Sequence, residues 1–169
     1  MERLKLIKDK GSVLDCSKEI IYEQSFKIKT LEEAYQLSVR IANETSNPNE
    51  NLVICELLNN AIEHGNLGIS YEEKTDFIEK DIFLDEINRR LALPENEHKY
   101  AEIQLVKCKK GLLVIITDQG CGFDYKKYLT IDSSRIMESH GRGIAIANSI
   151  LKIEYTENGN KVAVRFPNL

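Results

Sequence analysis

Three short stretches of the 169-residue chain hold the residues best suited to chemistry. In C-E-L-L-N-N-A-I-E-H-G-N, positions 55–66, Glu56, Asn60 and His64 recur at every fourth position. At about 100° per helical residue they fall at about 0°, 40° and 80°, a single polar strip. A carboxylate there can accept a proton from a hydroxyl or a water. An Asn carbonyl suits a hard cation such as Mg²⁺, with phosphate oxygens and water completing the shell. With a single imidazole the strip lacks the ligand set of a zinc site. Alone, it also fits a solvated helix face.

The second stretch is Asp118-Gln-Gly120-Cys-Gly122, directly after L-L-V-I-I-T. A carboxylate at a strand end can face a pocket and accept from the exocyclic amine of a bound base, contributing about 1.5–3 kcal/mol. The glycines let a ligand approach the backbone. The same residues equally describe a turn, with Asp bonding its own backbone and two glycines at positive φ. The third stretch, Gly141-Arg142-Gly143, heads an apolar helix. Backbone N–H groups and the dipole there can face a phosphate, with Arg142 beside it, or simply start a helix. It is neither a Walker loop nor a dinucleotide fingerprint.

The elements that must position these residues follow from periodicity. Residues 3–28 read as strands. Thr30-Leu-Glu-Glu33 is a capping box opening a helix with Leu31, Ala34, Leu37, Ser38 and Ile41 on one face. Asn47-Pro48 opens the next helix, whose broad apolar face is Ile54, Leu57, Leu58, Ala61 and Ile62, with Gly65 just past its end. Residues 67–100 form a charged helical insert, with helices near 71–80 and 83–92. It reads as a surface elaboration or a partner-docking element. A-E-I-Q-L-V-K and L-L-V-I-I-T are strands joined by K-K-G. Residues 125–140 are a polar connection, and the chain closes with a hairpin turning at Asn158-Gly159. Clustered strands and clustered helices predict an α+β fold with one mostly antiparallel sheet, rather than a doubly wound parallel one.

Composition sets outer limits. Residues 1–169 suit a single domain, and 42% hydrophobic content supports one core. A net charge of −4 gives no reason to expect nucleic acid. No apolar run approaches the ~18 residues of a membrane span, and the charged start M-E-R-L-K-L-I-K-D-K lacks a signal-peptide core. The four cysteines show no C-x-x-C spacing and read as reduced thiols of a cytoplasmic protein.

Taken together, the three stretches resemble the N box and the two glycine boxes of the GHKL (Bergerat-fold) ATP-binding superfamily. The wording N-A-I-E-H-G-N and the compact size are most similar to its anti-sigma-factor serine/threonine kinase branch. The resemblance covers about 20–166. It implies a two-layer α/β sandwich with a mixed, mostly antiparallel sheet covered on one face by helices, ATP and Mg²⁺ as cofactors, and 125–140 as a short lid. It further implies Glu56 as general base, Asn60 as the Mg²⁺ ligand, and Asp118 on the adenine amine with Gly120 and Gly122 beside it. Gly141, Arg142 and Gly143 would flank the phosphates, with His64 and Asn66 near that end.

The implied activity is transfer of the γ-phosphoryl group to a Ser or Thr of a STAS-type antagonist protein in bacterial partner switching. The alternative is a non-catalytic, nucleotide-dependent module that sequesters a sigma factor or another regulator. A homodimer is the expected assembly. A histidine-kinase catalytic domain is disfavoured, because no helical segment carries a phospho-accepting histidine. Two positions depart from the family pattern. Lys161-Val-Ala-Val-Arg165 has no Thr to support the adenine contact, and Glu138-Ser-His140 has no basic residue before the second glycine box.

Overall fold

The computed structural model describes residues 19–45, 49–128, 143–151, 153–156 and 158–168. Five strands form one sheet in the order β1-β2-β3-β5-β4: β1 Ile20–Ile28, β2 Ala101–Cys108, β3 Gly111–Thr117, β4 Ile153–Tyr155 and β5 Lys161–Pro167. All four pairings are antiparallel. The parallel component expected of a mixed sheet is therefore not found among the described residues. The class is α+β, as the clustering of strands and helices predicts.

Strand alternation divides the sheet into two faces. Ile103, Leu105, Leu112, Val114, Ile116, Val162, Val164 and Phe166 join the main core with the helices. Val106, Cys108, Leu113, Ile115 and Ala163 form a second buried cluster from the opposite parity. Register is set by pairs such as Ile103↔Ile116 and Val114↔Val164, in which each partner keeps its apolar side chain on the core face.

Helix α1, Leu31–Ala42, starts at the Thr30–Glu33 capping box and buries Ala34, Leu37, Ser38 and Ile41. Helix α2, Asn49–Asn60, packs between α1 and α5, Gly143–Ile150. Its predicted apolar face is the buried one: Ile54, Leu57, Leu58, Ala61 and Ile62. The Asn47-Pro48 start and the strands expected at 3–18 lie outside the described residues. The end of α2 departs from expectation. It continues as a π-helical turn, Ala61–Asn66, with Leu67 N–H donating to the Ile62 carbonyl five residues back. Gly65 is thus inside the helix, and Gly68 (φ +62°) takes the left-handed position.

The insert is a helical hairpin, α3 Tyr71–Glu79 and α4 Phe83–Leu91, opened by the predicted capping box at Ser70–Glu73. Ile87 is buried, and Phe77, Phe83 and Leu91 pack on the main core. Lys74 Nζ meets Glu63 Oε2 at 2.5 Å, and the Glu63 carboxylate is almost fully buried. Arg90 donates to the Leu67 and Gly68 carbonyls, both at 3.1 Å, and pairs with Glu73 and Glu86. So the hairpin, an insert with Ile87 as the buried residue of its two helices, is tied to the end of α2 by ion pairs and hydrogen bonds. No described helix is long and apolar enough to cross a membrane.

Candidate functional site

A cavity of about 560 Å³ runs along α2 between the helices and the ends of β3, β4 and β5. Glu56, Asn60 and His64 line it from α2, Asp118, Gly120 and Gly122 from the loop after β3, and Gly143 from the start of α5. Residues far apart in sequence thus share one wall-to-wall space. Gly141 and Arg142 lie outside the described residues, as does most of the 125–140 segment. Its first turn, Tyr125–Tyr128, is a short 3-10 helix.

Helix α2 presents its polar strip because its apolar face is committed to the core. Glu56 and Asn60 line the cavity, and among the described residues neither side chain has a hydrogen-bond or ion-pair partner. The Glu56 carboxylate rests against Gly143, where a Cβ would collide with it. His64 is engaged: its Nδ1 donates to the Ile69 carbonyl at 2.5 Å, tying the ring to the entry of the insert.

The Asp118 loop is held differently, through its backbone. Gly120 N–H donates to Asp118 Oδ1 at 2.8 Å, so the turn reading and the pocket-facing reading of this carboxylate both apply. Gly65 comes so close to Asp118 that an added Cβ would stand 2.6 Å from Oδ1, and Gly120 presses on the Gly65 carbonyl. Only Gly122, at φ +79°, uses the left-handed freedom expected of both loop glycines; Gly120 is required for clearance instead. Asn66, expected near Gly143, is placed with this loop: its Oδ1 accepts from Gln119 N–H at 2.9 Å, and it does not line the cavity. Its own carbonyl accepts from Lys99 Nζ at 3.0 Å.

The cavity has two distinct ends. Gly65 abuts Asp118 and Glu56 abuts Gly143. Gly65 stands nine positions after Glu56, about 13 Å along the axis. Burial pushes the Asp118 carboxyl up to about 6, against the lowering effect of the Gly120 N–H and its own N–H.

Sequence reasoning missed several lining residues. Tyr155 lies on the cavity, stacked on Tyr125 (ring centroids 5.0 Å, 21° between planes) and edge-on to Phe123 at 5.5 Å. Burial first, then the Asp118 and Glu56 carboxylates, push its phenol above the ordinary tyrosine range. Strand alternation would have found it, since Tyr155 shares a face with buried Ile153. Ser70, Tyr71, Lys74 and Lys99 line the cavity from the insert, which no local pattern announces. Among the described residues no group of three or more His, Cys, Asp or Glu could hold a metal ion. A cation here would need oxygens from a ligand besides the Asn60 carbonyl. Compared with protein-family models and with curated proteins, the chain matches none.

Proposed function

We propose that the chain is an ATP-dependent protein serine/threonine kinase of the anti-sigma-factor type, built on a Bergerat nucleotide pocket and working in the cytoplasm. The observation that supports this most is convergence: Glu56, Asn60, Asp118, Gly120, Gly122 and Gly143, read from three separate stretches, line one two-ended cavity. The donor set fits the nucleotide. At one end a carboxylate stands ready for an exocyclic amine. At the other, a carboxylate without a partner among the described residues rests against a helix start, with an amide carbonyl one helical turn away on α2.

Asp118 would hold the adenine amine, and Asn60 would hold Mg²⁺ together with phosphate oxygens. Mg-ATP, when bound, supplies the γ-phosphoryl group and the neutralising charge of the cation. Glu56 would orient a Ser or Thr hydroxyl of the acceptor and take its proton. The acceptor is a STAS-type antagonist protein. The test is transfer of labelled phosphate from Mg-ATP to such a protein by wild type and by Glu56→Ala. Absence of phosphoprotein, or full transfer by the variant, contradicts the assignment.

A second reading has its own observation. The Glu56 carboxylate rests on the first residue of α5, where a negative charge also stabilises a helix N-terminus. On that reading Glu56 is a helix-end anion in a nucleotide-dependent module that sequesters a sigma factor. Nucleotide binding without transfer, with Glu56→Ala costing about 1 kcal/mol of stability, would favour it.

A further inference from the structure

The last strands offer no threonine toward a base: Lys161 and Val162 line the cavity, and Ala163 is buried on the opposite face. Tyr155, paired with Val162 across β4 and β5, brings a phenol to the same stretch of the cavity lining. Among the described residues that hydroxyl has no hydrogen-bond partner, although the ring is largely enclosed. A polar group so placed on a cavity is suited to a ligand. Its ring is fixed on two sides by Tyr125 and Phe123, so the O–H is held without cost at binding.

We infer that Tyr155 is a specificity-determining residue that donates its phenol O–H to the purine ring nitrogen beside the exocyclic amine accepted by Asp118. The inference rests on the adenine-nucleotide reading above. Burial first, and then the Asp118 and Glu56 carboxylates, oppose ionisation of the phenol, so it remains a donor. An acceptor and a donor side by side match adenine, which shows an amine donor next to a ring-nitrogen acceptor. Guanine puts a carbonyl oxygen where Asp118 needs a donor. The ring nitrogen is N1, bonded to the amine-bearing carbon, or N7, which shares the opposite edge of the base with the same amine.

Equilibrium titrations of the full chain with ADP, 1-deaza-ADP, 7-deaza-ADP and GDP decide the matter, using wild type and Tyr155→Phe. Wild type should bind ADP better than GDP. It should lose about five- to tenfold with one of the two deaza analogues, the magnitude of one net hydrogen bond. Tyr155→Phe should lose a similar factor for ADP and no longer distinguish that analogue. If Tyr155→Phe binds all four ligands as wild type does, or weakens equally for all while keeping the discrimination, the inference fails and the nucleotide reading stands. If wild type does not bind ADP, both fail.

Discussion

The two walls of the cavity are built by opposite means. On α2, function rides on side chains: the apolar face is packed, and Glu56 and Asn60 project from the other face without partners among the described residues. On the Asp118 loop, function rides on backbone: Gly120 and Gly122, with Gly65 facing them from the end of α2, allow contacts that any Cβ would block. A packed helix can therefore change its polar strip at little structural cost, whereas the loop cannot change a glycine without moving. Substitutions on the first wall should alter activity with stability preserved, and substitutions on the second should alter both.

The largest expected effect is on the helix wall. Glu56→Ala should lower phosphoryl transfer by about 10²–10⁴-fold, the usual range for a general base, while nucleotide affinity in a binding titration changes little. Next is the latch between α2 and the insert. Lys74→Met leaves the Glu63 carboxylate buried without its cation. It should cost about 3 kcal/mol in urea unfolding, as breaking one side of a buried pair does. On the loop wall, Gly122→Ala forces a side chain into φ +79° and against the Asn158 carbonyl. It should cost about 1–3 kcal/mol and weaken nucleotide binding at once. Unchanged stability would dissolve the contrast between the walls.

The smallest effect is pH-dependent. The Asp118 carboxyl sits at about 6 in the fold against an ordinary value of 3.8. Between those two values the folded chain holds a proton that the unfolded chain has released, so stability falls as pH rises through that window. Asp118→Asn removes the effect. It should therefore gain about 1–2 kcal/mol over wild type between pH 4 and pH 7, allowing for partial solvent screening. Parallel unfolding curves of the two proteins across that range check the sign. The same variant should bind ATP more weakly, because the amine loses its charged acceptor.

Helices with caps were readable from local pattern alone. Thr30–Glu33 and Ser70–Glu73 are capping boxes in sequence and in the fold, and the buried face of α2 is the one its 3.6-residue period defines. Contacts between segments were less legible. The π turn at 61–66 carries Gly65, which lies against Asp118, a tertiary contact that no helical period encodes. The charges of the insert mark it as an insert but do not say where they go: Lys74 pairs with Glu63, and Arg90 donates to carbonyls just past α2. Tyr155 went unnoticed because a single tyrosine at a strand end carries no motif. Its significance lies in its place on the cavity lining, against Phe123 and Tyr125.

The most direct test of the account is calorimetric titration of the full chain with Mg-ATP, alongside Asp118→Asn. One-to-one binding to wild type is expected, lost or weakened at least about tenfold in the variant, in keeping with a charge-assisted hydrogen bond. Absence of binding to wild type at millimolar Mg-ATP, or equal binding by the two proteins, would contradict it.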